Sequence, residues 1–280
     1  MEFITLKKGS LFSLESKMID THAHIDFPDF NFDREVLLKK CSEQNIKIIN
    51  PGTNFETSSS AVNLAKKFSN IYAGVGLHPQ NIKSEFLKFD SLEKKELKFD
   101  YFAYKKLAQT EKVVAIGEAG LDFWNQPKSK EKRLLIAEEQ TKIFTQQLDL
   151  AKELNLPIII HCRQAFHQLI LILKNNQNQG VVHCFTGNWE QAKELLDLGF
   201  YLGINGIIFK LDLTETIKKC PLDRILLETD CPFLPPPGFE QRNSPLSLPI
   251  IANQVASLKG ISKEQVLASC FDNARKLFKI

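Results

Sequence analysis

Histidine and carboxylate side chains follow several apolar segments of this sequence, at the point where each segment turns polar. Imidazole nitrogens and carboxylate oxygens are common protein ligands of divalent cations. If the apolar segments are parallel strands of one barrel, their C-terminal ends converge on a single mouth. The sequence therefore predicts one metal centre whose ligands are spread over most of the chain. The candidate ligands are His22, His24, Glu118, His161, His183 and Asp230.

The first two candidates, His22 and His24, are separated by one residue. In an extended strand this spacing sends both imidazoles to the same face, where both can bind one cation. Asp20 and Asp26 lie at the same two-residue spacing, so their side chains are expected on the same face. A single strand histidine is usually a satisfied core residue. Two histidines between two carboxylates on one buried face are too costly to leave unpaired, which favours a metal site.

Glu118 comes two residues after the end of the apolar run 113–116 and lies between Gly117 and Ala119. A carboxylate at the end of a buried strand needs a cation, and the alternative is a structural salt bridge. Asp122 has the same alternation and is a candidate for a supporting contact. Glu118 and Asp230 are the predicted catalytic carboxylates, and Asp230 is predicted to accept the proton of the attacking water.

Cysteines follow three of these ligands directly, as Cys162, Cys184 and Cys231. Strand alternation then points the cysteines outward to the helix layer, which argues against a mixed histidine and cysteine zinc site. By the same alternation Glu228 points inward one layer below Asp230, where it can brace the ligands.

Further polar side chains at strand ends are candidates for holding the substrate. His78 ends one apolar run, Arg163 follows His161 by two positions, and Arg242 lies in a proline-rich loop. The planar guanidinium group matches phosphate oxygens, so these residues favour a phosphate-bearing substrate. The alternative for Arg242 is a simple ion pair with Glu240 or Asp212.

Eight apolar or β-branched runs alternate with segments of helical periodicity along the chain. Continuous apolar character is typical of parallel strands that are buried on both faces. The pattern predicts an α/β fold, a (β/α)8 TIM barrel with an extra C-terminal helix. The predicted strands are Met18–Asp26, Ile46–Thr53, Ile71–Pro79, Val113–Asp122, Pro157–Arg163, Val181–Gly187, Phe200–Phe209 and Ile225–Phe233.

Helical periodicity is clear in four segments. The predicted helices include 130–155, one that begins after Asn188 or Thr186 and ends before Gly199, and the two C-terminal helices 246–259 and 263–278. We expect one barrel domain over residues 18–280 and an N-terminal extension over residues 1–17 that is not required by the fold.

Composition excludes several other protein classes. The chain has 280 residues with a net charge of +3, which is less basic than proteins that coat nucleic acids. No apolar run reaches the roughly 20 residues of a membrane span. The six cysteines form no CxxC pair and favour a reduced, cytoplasmic protein. Nothing in the sequence indicates a membrane or an obligate protein partner.

The motifs around the candidate ligands resemble the TatD family of metal-dependent deoxyribonucleases, within the amidohydrolase-like barrel group. The resemblance runs from residue 18 to the end of the chain, and Gln241 departs from it where a basic residue is expected. It implies a barrel with two divalent cations, one held by His22, His24, Glu118 and Asp230. Glu118 would bridge to a second cation held by His161 and His183. The motifs are IDTHAHID (19–26), GVGLHP (74–79), GEAGLDF (117–123), HCR (161–163), HCFTG (183–187), ETDCPFLPP (228–236) and RNSP (242–245).

The expected activity is divalent-metal-dependent hydrolysis of phosphodiester bonds in DNA, with a 3′-5′ exonuclease as the specific form. Two cations, Mg²⁺, Mn²⁺ or Zn²⁺, would share a bridging hydroxide. The expected partner is DNA with single-stranded or frayed ends. The alternative enzyme is a hydrolase of a small ester, amide or D-aminoacyl substrate on the same centre, because fold does not fix substrate. A non-catalytic nucleic-acid-binding protein would have lost ligands, and all are present.

Overall fold

A computed structural model describes residues 17–82, 99–239 and 241–280 of the chain. Eight parallel strands form one sheet in the order in which they occur in the sequence. This arrangement confirms the predicted TIM barrel. The strands are β1 (Met18–Asp20), β2 (Ile46–Pro51), β3 (Ile71–Val75), β4 (Val113–Asp122), β5 (Ile158–Arg163), β6 (Gly180–Val182), β7 (Tyr201–Ile204) and β8 (Ile225–Leu227).

Helices follow the strands, and Asn188 begins one of them as predicted. Its side chain accepts a hydrogen bond from Gln191 N and its backbone N–H donates to the Gln191 side chain, so the backbone N–H groups of Asn188 and Gln191 are both satisfied. Gly199, at φ +89°, follows the end of that helix. The helices are α1 (Arg34–Glu43), α2 (Phe55–Lys67), α3 (Tyr101–Ala108), α4 (Lys130–Leu154), α5 (Phe166–Lys174), α6 (Trp189–Asp197), α7 (Thr214–Lys219), α8 (Leu248–Lys259) and α9 (Lys263–Phe278).

The first and last strands meet just beyond their C-terminal ends. Thr21 N donates to Leu227 O at 3.1 Å, and Asp230 N donates to His22 O at 2.8 Å. These bonds join the two edges of the sheet, so the barrel is nearly closed. They also fix two of the candidate ligands, His22 and Asp230, beside each other.

The extra C-terminal helix α9 covers the N-terminal end of the barrel. Leu277 and Phe278 pack against inward-facing strand residues such as Ile19, Ile159 and Leu226 in one buried cluster. Burial of these apolar side chains stabilises the barrel by roughly 1.5–3 kcal/mol for each fully buried side chain. Because apolar residues fill the barrel interior, polar groups collect at the C-terminal mouth.

Several strands are shorter than predicted at that mouth. Ladder pairing of β1 ends at Asp20 and that of β8 at Leu227, so the predicted strands Met18–Asp26 and Ile225–Phe233 extend too far. Beyond the strand ends the backbone leaves the extended conformation, as the φ of +56° at Asp230 and +44° at Cys184 show. Regular strand pairing therefore ends where the polar side chains turn into the mouth of the barrel.

No helix among the described residues is long and apolar enough to cross a membrane. Residues 1–16, which make up nearly all of the predicted extension, lie outside the described residues. The expected boundary between extension and barrel therefore stays a prediction.

Candidate metal centre

The predicted ligands of the first cation lie together on the floor of the mouth. His22 Nε2 and His24 Nε2 are 3.2 Å apart. Glu118 Oε2 is 3.4 Å and 3.6 Å from these two nitrogens. Asp230 Oδ1 is 3.8 Å and 3.7 Å from the same nitrogens. We call these four side chains the first cluster.

The other oxygen of Glu118 is surrounded by imidazoles. Glu118 Oε1 is 2.8 Å from His183 Nε2, 3.0 Å from His161 Nδ1 and 3.2 Å from His78 Nε2. We call these four side chains the second cluster. His78, which the sequence suggests as a phosphate contact, thus lies at ligand distance from the shared carboxylate, beside the two histidines predicted there.

Charge is divided unevenly over these groups. Burial would raise the pKa of Glu118, but the surrounding His78, His183 and His22 outweigh it and hold that pKa well below its usual range. Burial lowers the pKa of His24 to about 4 and places that of His22 well below normal. An ionised carboxylate therefore faces two neutral imidazoles whose Nε2 atoms point at each other.

Burial would also lower the pKa of His161 and His183. For His161, hydrogen bonds with Asp122 and Glu118 outweigh burial and raise the pKa. For His183 the charge of Glu118 has the same effect and raises the pKa well above normal. Burial, opposed by His183, raises the pKa of Asp230 to about 8.

Asp122 holds both His161 and the loop beyond β4. Its Oδ2 lies 3.0 Å from His161 Nε2 and accepts from Gln80 Nε2 at 2.7 Å. Its Oδ1 accepts from the Trp124 backbone N–H at 2.8 Å. With Nε2 held by Asp122, the Nδ1 atom of His161 faces Glu118, which is the supporting contact predicted for this aspartate.

Glu228 lies below the ligands, as its alternation predicts. Its Oε1 accepts from Cys184 N at 2.7 Å and from Asn205 Nδ2 at 3.0 Å, and lies 3.6 Å from His183 Nδ1. Glu228 Oε2 has no hydrogen-bond partner among the described residues. The carboxylate therefore supports the imidazole of His183 from beneath.

The prediction that Asp20 and Asp26 share one face with His22 and His24 is only partly right. Asp20 does not join the ligands, because its carboxylate accepts from Thr229 N at 2.9 Å and from the Thr229 hydroxyl. Asp26 accepts from Asn50 Nδ2 at 2.8 Å. Both carboxylates flanking the histidines thus brace the strand ends, and neither reaches the cluster.

The donor atoms of the two clusters fit divalent cations. His22, His24 and Asp230 form one group of possible ligand atoms that lie within 4.8 Å of one another, and His78, Glu118 and His161 form a second. The two facing Nε2 atoms of the first cluster need a shared positive charge or proton, and a cation would also favour the ionised form of Asp230. These buried clusters are consistent with a binuclear metal site.

A cavity of about 960 Å³ opens above the clusters at the C-terminal mouth. Arg163 lines it, as predicted, with its guanidinium carbon 4.3 Å from the centre of the Trp124 ring. No carboxylate among the described residues pairs with Arg163. This arginine is therefore free to bind an anion.

Arg242 does not line that cavity. Its Nη1 and Nη2 atoms donate to Asp33 at 3.0 Å and 2.6 Å, and Nη1 also donates to the Asp29 carbonyl oxygen. The guanidinium carbon lies 4.3 Å from the Phe30 ring centre. The structure thus gives Arg242 an ion pair as its alternative suggests, but the partner is Asp33 and not Asp212. Glu240 lies outside the described residues.

The cysteines follow the outward prediction with one exception. Cys162 and Cys231 are buried in the core between barrel and helices, although Cys162 also reaches the cavity wall. Cys184 is half-buried, lines the cavity and points its Sγ toward Asn205 Oδ1 at 3.7 Å. Its φ of +44° breaks the alternation that would have pointed it outward. The groups of possible ligand atoms found among the described residues contain no cysteine.

Sequence reasoning missed the aromatic side chains of the mouth. Trp124 and Phe233 line the cavity and are 50% and 51% exposed, and Phe27 lies beside Phe233. Phe27 and Trp124 directly follow the motifs IDTHAHID and GEAGLDF, and Phe233 lies within ETDCPFLPP, so aromatic residues at or just after the strand-end motifs are the signal that would have found them.

Comparison with known proteins places this chain in a family. The family model described as TatD related DNase matches residues 19–279. Metal-dependent hydrolase YabD of Bacillus subtilis is 36% identical, with 94% of this chain and 99% of that protein covered. The 3′-5′ ssDNA/RNA exonuclease TatD of Pantoea vagans is 32% identical over 94% of this chain and 100% of that protein.

A solved structure agrees with this comparison. The crystal structure of YjjV, a TatD homologue from Escherichia coli K12, superposes with a TM-score of 0.80 at 30% identity, covering 95% of this chain and 99% of that one. The barrel fold and the matched length therefore agree with the family along the chain. The chain belongs to the TatD family of metal-dependent hydrolases.

Proposed function

We propose that this protein hydrolyses phosphodiester bonds of DNA in a divalent-metal-dependent reaction, as a 3′-5′ exonuclease on single-stranded or frayed ends. The observation that carries the proposal is the pair of clusters sharing Glu118, beneath a cavity whose wall presents the unpaired guanidinium of Arg163. An anionic substrate fits a mouth with this free cation. The relative from Pantoea vagans that is named a 3′-5′ ssDNA/RNA exonuclease supports the same class.

The proposed ligands of one cation are His22, His24, Glu118 and Asp230. A second cation would be held by Glu118, His161 and His183, and His78 is close enough to join them. Mg²⁺, Mn²⁺ or Zn²⁺ suit such nitrogen and oxygen donors, and the number of histidines favours Zn²⁺ or Mn²⁺ over Mg²⁺ alone. When bound, two divalent cations lower the pKa of water and offset charge on a phosphoryl group.

The chain's own residues then bind and orient the reactants. Arg163 donates hydrogen bonds to phosphate oxygens from the cavity wall. Asp230 is the carboxylate of the first cluster with most solvent contact, 13% exposed against 3% for Glu118, so its Oδ1 is placed to accept the proton of the attacking water. Burial lowers the pKa of His78. Its Nδ1 accepts from the Gln80 backbone N–H at 3.1 Å and its Nε2 lies 3.2 Å from Glu118 Oε1, so this imidazole is placed to support the second cluster and not to donate to substrate.

The test is cleavage of end-labelled DNA by protein stripped of metal and then supplied with Mg²⁺, Mn²⁺ or Zn²⁺. We expect cleavage of single-stranded DNA to return with at least one cation, and labels at either end reveal the polarity. Absence of cleavage with every cation on both single-stranded and duplex DNA would refute the proposal.

A matched pair of variants assigns the proton acceptor. Asp230→Asn should abolish turnover while leaving the circular dichroism spectrum intact. Asp223→Asn removes an exposed carboxylate just before β8 and should leave turnover unchanged. Full activity of Asp230→Asn would remove this residue from the mechanism.

The alternative substrate is a small ester, amide or D-aminoacyl compound on the same centre. Such a substrate gives no reason for a free guanidinium stacked on an exposed ring at the cavity wall, whereas a nucleotide does. A screen of small esters and amides beside the DNA substrates separates the two, since only the alternative predicts turnover confined to the small compounds.

A further inference from the structure

Two half-exposed aromatic rings stand on opposite sides of the clusters. Trp124 follows β4 and Phe233 lies beyond β8, and both line the cavity. In a barrel whose eight strands are arranged in sequence order, β4 and β8 are half a turn apart. The two residues therefore lie on opposite sides of the metal centre. Phe102 and Phe32 are also exposed but do not line the cavity.

The Trp124 ring is fixed to the second cluster. Its backbone N–H donates to Asp122 Oδ1, and Asp122 Oδ2 is hydrogen-bonded to His161. Phe123 N donates to Arg163 O at 2.8 Å, which ties the same loop to β5. Arg163 covers the ring at 4.3 Å, so a flat apolar surface and a cation form one edge of the cavity.

The Phe233 ring is fixed to the first cluster. Phe233 N donates to Asp230 O at 3.0 Å. Its ring meets Phe27 edge to face at 6.0 Å, and Phe27 stacks on His24 at 4.6 Å. Leu211, 44% exposed, also lines the cavity. This side of the mouth is thus apolar and is positioned by the ligands themselves.

We propose that Trp124 and Phe233 are base-stacking platforms, so that a single strand lies across the clusters with one nucleobase on each ring and the scissile phosphate between them. The inference rests on the proposed nuclease function and names how that site takes its substrate. Stacking on an aromatic face is available to every base, so the site reads strand geometry and not sequence. Paired bases are stacked within a duplex and cannot reach the rings, which selects single-stranded ends.

The two platforms also determine the smallest substrate that binds well. A strand held on both rings needs a base on each side of the cleaved bond, so a dinucleotide is the minimum. Arg163, which lies over one face of the Trp124 ring, then binds the phosphate next to a base stacked on the other face. A compound with one base, or with none, loses at least one platform and should bind more weakly.

Fluorescence tests the Trp124 platform without turnover. The chain has two tryptophans, Trp124 and Trp189, so Trp189→Phe leaves the platform as the only indole. We expect a phosphorothioate-linked thymidine pentamer, which resists cleavage, to quench the emission of Trp189→Phe in Mg²⁺ or Zn²⁺. The matched Trp124→Phe protein, which reports only on Trp189, should show little quenching. Quenching confined to Trp189 would overturn the assignment.

Kinetics with an abasic strand tests stacking directly. Trp124→Ala and Phe233→Ala should each raise KM for single-stranded DNA about 5- to 150-fold, the range for loss of one stacked base, with kcat nearly unchanged. For a strand of equal length that lacks its bases, wild type should already show the raised KM and neither substitution should raise it further. Phe102→Ala, which removes an exposed ring outside the cavity, is the control and should change neither constant.

The outcomes separate this inference from the nuclease proposal. Cleavage with an unchanged KM in both alanine variants refutes the platforms and leaves the nuclease standing. Quenching of Trp124 without cleavage of any DNA refutes the nuclease and retains a strand-binding site. Neither quenching nor cleavage refutes both.

Discussion

Replacing Arg242 separates a role in substrate binding, suggested by the sequence, from the structural role that its contacts indicate. Arg242→Met removes two charge-assisted hydrogen bonds to Asp33, one to the Asp29 carbonyl oxygen and a stack on Phe30. The two charged side chains are 29% and 46% exposed, so solvent screening keeps the ion pair near about 1 kcal/mol. The remaining hydrogen bond and the stack contribute about another 1 kcal/mol.

We therefore expect Arg242→Met to lower the free energy of unfolding by about 2 kcal/mol, a fall in Tm of roughly 4–8 °C for a chain of this size. Urea denaturation and calorimetry measure both quantities. Because the hydrogen bond from Arg242 lowers the pKa of Asp33, the pair stabilises the fold above the normal carboxyl pKa. The difference between wild type and variant should shrink as pH falls and Asp33 becomes protonated.

Asp33→Asn is the matched control, because it breaks the same ion pair from the other side. Both variants should keep kcat/KM for single-stranded DNA within about twofold of wild type, since neither residue lines the cavity. If Arg242 binds phosphate, its loss should cost tenfold or more in kcat/KM while Asp33→Asn leaves that constant unchanged. That pattern would refute the reasoning from the contacts.

Other changes test the support of the centre. Asp122→Asn removes the negative charge that holds His161 Nε2, so cation affinity should fall about 10- to 100-fold in calorimetric titration, and unchanged affinity would limit Asp122 to holding its loop. Gly120→Ala places a Cβ 2.0 Å from the His161 carbonyl oxygen and should destabilise the fold by about 3 kcal/mol or more. Gly199→Ala, which meets nothing within 4 Å, should cost about 1 kcal/mol, and equal costs in urea denaturation would contradict the packing argument. A chelator should lower Tm, because it removes a cation that binds the folded state. At cation concentrations a hundred times Kd, the bound cation contributes about 2.7 kcal/mol to the free energy of unfolding. Glu118→Gln should show a much smaller shift in Tm on chelation in the same thermal scan.

Much of the fold and part of the site could be predicted from alternation along buried strands. Ile159 and Val181 point into the barrel, and two residues later His161 and His183 point into the mouth. Leu226 precedes Glu228 in the same way. Where a strand keeps regular pairing, the direction of a side chain follows from its position, so the sequence alone predicts that direction.

The rest depends on local breaks and distant partners that no single segment records. Ile19 points into the barrel, yet His22 lies an odd number of residues later, so the alternation shifts near Thr21 where ladder pairing has ended. Glu118 lies at an irregularity in register between Ile116 and Ala119. Arg242 finds its partner at Asp33, far away in sequence, because the loop after β8 folds back over the loop after β1.

The join between the two edges of the sheet also sets when the centre can first exist. His22 and His24 lie near the start of the chain, whereas Asp230 follows the last strand and is bonded through its backbone to His22. Synthesis proceeds from the N-terminus, so a growing chain carries its early ligands long before the final strand is made. Until β8 docks beside β1, these side chains have no common mouth to face. The metal centre is therefore assembled late in synthesis, after the last strand has been made.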